Sequence, residues 1–99
     1  MNMQEFNELI KTGVVVVDFY ATWCGPCKML VPVFDELAEE LSDKVSFFKV
    51  DVDQGMEIAQ AYRISSVPSI VIFKDGHQQE MLTGFMPKAV LEEKIKVYL

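Results

Sequence analysis

Cys24 and Cys27 are the only cysteines in the chain, and two residues, Gly25 and Pro26, separate them. Two thiols this close can open and close a disulfide without moving the rest of a fold. If a helix begins near Cys24, that thiol sits at the positive end of the helix dipole, where free backbone N–H groups favour thiolate. Cys27 then lies about one turn later on the same face, more deeply placed. The first thiolate can attack a substrate disulfide, and the second can resolve the mixed disulfide. Gly25 lets another chain approach closely. Pro26 fits a first helical turn, where its missing N–H costs nothing. Two other readings stand beside this one. Zinc wants about four ligands, and the chain adds only His77 at a predicted hairpin turn, so no metal is expected. Two inert buried cysteines would not need Gly-Pro between them at a strand-to-helix junction.

The elements needed to hold the pair can be read from periodicity. Asn2 with Glu5 reads as a capping box, and Phe6, Leu9 and Ile10 share a face, giving a helix over about residues 3–12 that Gly13 stops. Val14 to Tyr20 is a β-branched and aromatic run that suits a central parallel strand covered on both faces. Met29, Leu30, Phe34, Leu37 and Leu41 recur at helical spacing, giving a helix from about Cys24 to Leu41 with Pro32 inside it as a kink. A second strand spans Val45 to Asp51, and Asp53 is the expected N-cap of a third helix bearing Ile58, Ala59 and Tyr62. A third strand spans Ser69 to Phe73. Asp75-Gly76 signals a two-residue hairpin into a fourth strand over Gln78 to Thr83, broken by Gly84. Pro87 suits the first position of a last helix carrying Leu91 and Ile95. Helices alternating with strands predict crossover units closed by an antiparallel edge.

The 99 residues form one expected domain, 51% apolar, with a net charge of −6. That charge argues against general affinity for nucleic acid or an anionic membrane. No apolar run approaches the ~20 residues of a membrane span, and the first residues lack the basic and apolar regions of a leader. The expected compartment is cytoplasmic, where a lone close thiol pair is redox-active or metal-binding rather than a staple.

The segment Phe19-Tyr20-Ala21-Thr22-Trp23-Cys24-Gly25-Pro26-Cys27-Lys28 resembles the active-site stretch of the thioredoxin family almost residue for residue, and the similarity runs nearly the whole length. Val67-Pro68-Ser69 resembles the family's proline loop, and Gly84 its late glycine. Gly-Pro between the cysteines is the thioredoxin choice; Pro-Tyr would suggest a glutaredoxin and Gly-His an isomerase. The resemblance implies a three-layer α/β fold with a mixed sheet. It also implies protein-disulfide reduction without a bound cofactor, disulfide-containing client proteins, and re-reduction by an NADPH-linked, flavin-dependent thioredoxin reductase. The family's usual first strand has no counterpart before the first helix, so a four-stranded sheet in the order 2-1-3-4 is expected. That leaves the Val45 to Asp51 edge open in a chain otherwise expected to be monomeric.

Supporting residues each carry a plain reading and a functional one. Asp18 interrupts an apolar strand. It is either a strand-end carboxylate reaching solvent or a buried proton acceptor for Cys27, and the resemblance favours the second. Lys49 reads alone as a snorkelling surface lysine; by resemblance it pairs with Asp18. Only ~5–6% of X–Pro bonds are cis, so Pro68 alone reads as trans. By resemblance it is cis, facing Cys24, with the Val67 backbone free to pair with an extended substrate. Trp23 is either core or a partly exposed lid beside Cys24, the lid being favoured. Gly84 and Phe85 are expected to complete an apolar rim with Gly25, Pro26 and Val67. Lys28 is either a thiolate-favouring cation or a solvated helix charge. Met86 falls where the last helix should be capped, and methionine caps poorly. A redox-independent binding module on the same fold is the competing function.

Overall fold

Eight elements alternate along residues 1–99 of the computed structural model. They are α1 (Met3–Ile10), β1 (Val14–Tyr20), α2 (Gly25–Glu40), β2 (Val45–Asp51), α3 (Met56–Ala61), β3 (Ser69–Lys74), β4 (His77–Thr83) and α4 (Lys88–Lys96). One sheet carries the strands in the order β2-β1-β3-β4, as expected. β1 pairs parallel with β2, Val14 opposite Val45, and antiparallel with β3, Phe19 opposite Ser69. The expectation of crossover units therefore holds for β1-α2-β2 alone. β3 returns in the opposite direction, and β1 is a parallel neighbour on one side only.

Because side chains alternate along a strand, the central strands feed two cores. Val14 and Val16 of β1 and Ile70 and Ile72 of β3 pack against Leu30 and Phe34 of α2, with Leu91 and Ile95 of α4 in the same cluster. Val15, Val17 and Phe19 turn the other way and join Phe6 and Ile10 of α1 and Ile58 of α3. Asp18 has the parity of Val14 and Val16, so it points to the α2 side.

Local chemistry explains the junctions. Asn2 Oδ1 accepts from the Glu5 amide at 2.8 Å and Glu5 Oε1 accepts from the Asn2 amide at 3.0 Å, closing the expected capping box. Asn2→Ala should lower stability by about 1 kcal/mol, and the melting temperature with it, in thermal denaturation. Asp75 (φ 50°) and Gly76 (φ 85°) form the hairpin turn, two left-handed residues matching the twist of β3 and β4. The Asp75 side chain also accepts from the Gly13 amide at 2.8 Å, tying that turn to the entry of β1.

Three boundary expectations need correction. α1 ends at Ile10, short of residue 12. Asp53 does not cap α3: Gly55 occupies that position with no side-chain cap, its amide bonded to Asp51 O at 2.7 Å. A Cβ on Gly55 would meet Val50 Cγ1 at 2.9 Å, so the tight turn leaves no room for a capping side chain there. At α4, Pro87 is the N-cap rather than the first helical residue, and Met86 is buried in the α2/α4 core rather than capping. The helix α2 stays continuous through Pro32.

Candidate redox site

Both cysteines sit where β1 delivers the chain into α2. Cys24 is the N-cap of α2, and its Sγ accepts from the Cys27 amide at 3.1 Å, the role a serine oxygen plays at other helix starts. Pro26 fills the first turn, as its missing donor allows. Cys24 and Cys27 form a disulfide, with Cα atoms 5.3 Å apart. Both are buried, and Ala21 completes their small cluster, with Tyr20, Val52 and Val67 packed against it.

The Val67–Pro68 peptide is cis, and Cys24 Sγ lies 3.7 Å from Val67 O. This meets the expectation from resemblance and not the one from sequence alone. A groove of about 340 Å³ opens beside this contact, lined by Trp23, Val52, Ile64, Ser65, Ser66 and Val67. Trp23 is 70% exposed, so it is not core. Its Nε1 donates to Asp53 Oδ2 at 3.0 Å, holding the indole that lines the groove. Gly84 (φ 85°) donates its amide to Pro68 O at 2.9 Å and leads into the exposed Phe85. Gly84 and Phe85 follow β4, on the side of Pro68 away from β1. They flank the groove rather than line it, and Gly25 and Pro26 are exposed outside it.

The Asp18 side chain is 1% exposed, and no protein group hydrogen-bonds its Oδ1. It is buried within the fold, not a strand-end carboxylate projecting into solvent. Burial pushes its carboxyl up to about 6; the Lys49 ammonium pulls it down, and the Asp35 carboxylate pushes it up again. Lys49 is Asp18's register partner on β2, yet its Nζ bonds Asp35 Oδ1 of α2 at 2.9 Å. The expected Asp18–Lys49 pairing is therefore electrostatic and not a direct ion pair. No three His, Cys, Asp or Glu side chains converge as a metal-binding group, and His77 sits exposed at the hairpin.

Four residues at the site carried no functional signal in the sequence: Asp53 lies thirty residues from Trp23, Asp35 meets Lys49 from α2, and Val52 and Ile64 line the groove from beyond the ends of β2 and α3. Only the folded chain brings them to the site.

The family model for thioredoxin matches residues 1–97. The chain belongs to the thioredoxin family. It is 44% identical over 96 residues to thioredoxin from Bacillus subtilis, covering 97% of this chain and 92% of that one. Against thioredoxin from Staphylococcus aureus it is 42% identical over 95 residues, covering 96% and 91%. Among solved structures it is similar to mitochondrial thioredoxin 3 of Saccharomyces cerevisiae in its oxidised form. There the TM-score is 0.90 with 41% identity, over 97% of this chain and 90% of that one. A mutant thioredoxin from Halobacterium salinarum gives a TM-score of 0.91 at 38% identity, over 99% and 86%. With its cysteines joined at the start of α2, this thioredoxin-fold chain is a protein-disulfide oxidoreductase. Its family works on disulfide-containing client proteins and with a thioredoxin reductase. No helix is long and apolar enough to cross a membrane.

Proposed function

We propose that the chain is a general reductase of protein disulfides, a single domain that works as a monomer in the cytoplasm and contributes to cell redox homeostasis. The observation that carries this reading is Cys24 at the α2 N-cap, against Val67 O and beside an open groove. In the reduced protein the Cys24 thiolate, favoured by the helix dipole, attacks one sulfur of a client disulfide. A Cys24–client S–S bond forms, and the other client sulfur leaves as a thiolate. Asp18, carried by β1 beneath α2, takes the proton of Cys27. The Cys27 thiolate then attacks Cys24 Sγ. The Cys24–Cys27 bond forms, and the second client sulfur leaves. The client has gained two electrons and the protein has lost two. An NADPH-linked thioredoxin reductase restores the dithiol, so no cofactor is needed on this chain.

The groove supplies binding. An extended client segment lies against Trp23 and Val67, pairing with the backbone ahead of Pro68, while Gly84 and Phe85 give apolar support on the far side. Asp53 holds Trp23 ready, which lowers the ordering cost of binding. Asp53→Ala should raise the KM for a protein disulfide about threefold and leave kcat unchanged, the pattern of lost uniform binding. An equal fall in kcat would instead assign Asp53 to the chemistry.

The general reading is tested by NADPH-coupled reduction of insulin and of several unrelated disulfide proteins. Comparable turnover on all of them supports it. Turnover confined to one partner would make the protein a dedicated electron donor. Retained cellular function in Cys24→Ser would make it a binding module.

A further inference from the structure

Lys49 and Asp18 stand opposite each other in the β1–β2 ladder, and both point to the α2 side of the sheet. A lysine stem is long enough to bring its ammonium to a neighbouring carboxylate. Here it does not. The ammonium lies over the Phe34 ring, 5.8 Å from the centroid, and bonds Asp35 on the next residue of α2. Lys49 and Asp35 are both substantially exposed, whereas Asp18 is buried with an unpartnered oxygen. An exposed ion pair of this kind adds little to folding stability. Its effect on the buried carboxylate across the ladder is larger, because charges near low-dielectric protein are poorly screened.

We infer that Asp35 is a positioning residue for the resolving step: it draws the Lys49 ammonium to the α2 surface and so keeps Asp18 without a cationic partner, free to take the Cys27 proton. The charged groups facing Asp18 are Lys49 from β2 and Asp35 from α2; its neighbour on β3 is Ile70, and the Cys27 thiol on α2 is the group it serves. The inference rests on the proposed role of Asp18. Lys49 pulls the Asp18 carboxyl down and Asp35 pushes it up. Loss of Asp35 therefore acts twice in one direction: a repelling charge goes, and the released ammonium can turn to Asp18. A carboxylate held by an ammonium is a weaker base, and a weaker base takes the thiol proton more slowly.

The test follows the Asp18 carboxyl carbon by NMR in the oxidised protein, where neither cysteine titrates. Asp35→Asn should lower the Asp18 midpoint by about one pH unit, and Asp35→Glu should restore it. In a Lys49→Met background the shift caused by Asp35→Asn should shrink by more than half, since no ammonium remains to be released. A shift of the same size with and without Lys49 would show that Asp35 acts only through its own charge, which overturns the positioning role. An unmoved midpoint would overturn it as well. In single-turnover kinetics with a preformed Cys24–client disulfide, Asp35→Asn should slow client release about threefold at neutral pH and leave the first attack unchanged. If the midpoint moves and release does not, the hold of Asp35 on Asp18 stands and the role of Asp18 as base fails.

Discussion

Cys24→Ser should reduce no insulin beyond what dithiothreitol achieves alone. The thiolate is the nucleophile in disulfide exchange, and a serine hydroxyl cannot replace it, so the expected loss is at least about a thousandfold. The fold should tolerate the change well, because serine is a better N-cap than cysteine and the Cys27 amide keeps a partner. Loss of activity can then be assigned to chemistry once circular dichroism shows an unchanged spectrum. Cys27→Ser should fail differently. The first attack remains, each molecule reacts once, and turnover stops at the mixed disulfide. Turbidity assays of insulin with both variants separate an inert enzyme from a trapped one.

Asp18→Asn should make the protein more stable at neutral pH and slower in its second step. Burial raises the Asp18 carboxyl from 3.8 to about 6, so the folded state holds the proton more tightly than the unfolded chain. Such a group favours folding fully below about pH 4, and its contribution is lost as the pH rises through about 6. Two pKa units correspond to roughly 3 kcal/mol, at 1.36 kcal/mol per unit. Asparagine carries no charge and avoids that loss. Denaturant unfolding should show Asp18→Asn more stable by up to about 3 kcal/mol above pH 7, with the two proteins converging below about pH 4. Parallel curves across this range would mean that folding does not shift the Asp18 carboxyl. The kinetic consequence has the opposite sign for fitness. Asparagine cannot accept the Cys27 proton, so client release should slow about a hundredfold, within the usual range for a lost general base. The first attack, made by Cys24, should stay within a factor of about two. Stopped-flow measurements resolve the two steps. A wild-type release rate that falls as the pH drops through about 6 would carry the same signature.

Stability and activity therefore pull against each other at one residue. A buried carboxylate with an unpartnered oxygen is costly, and the proposed role as base supplies a reason to keep it. The Lys49–Asp35 pair fits this picture. Direct pairing of Lys49 with Asp18 would relieve the cost and weaken the base.

Much of this was legible in the chain because it depends on local chemistry. The apolar run at Val14 to Tyr20 can only be a covered strand, Asp75-Gly76 can only make a tight left-handed turn, and Asn2 with Glu5 closes a cap within one helical turn. The cysteine spacing showed that a dithiol could switch, and the segment around it carried the resemblance to disulfide reductases. What escaped was set by turn geometry and by contacts distant in sequence. The turn after β2 closes with the Gly55 amide on Asp51 O, so α3 starts later than a capping rule applied to Asp53 places it, and Val50 leaves room there only for glycine. Met86 is buried because α4 packs on α2, a tertiary fact that a capping rule cannot see. The direction of β3 depends on how the chain leaves α3, and alternating elements do not fix it. The site divides in the same way. Cys24, Cys27 and Trp23 lie in one short segment, whereas Asp35 and Asp53 join it only through the fold.

Intact-mass analysis of the two cysteine variants after mixing with a disulfide-bonded client tests the division of labour most directly. The account predicts a stable, reductant-sensitive adduct of one client chain on Cys27→Ser and none on Cys24→Ser. Equal adducts on both variants, or an adduct on Cys24→Ser alone, would contradict the assignment of Cys24 as the attacking thiol and Cys27 as the resolving one.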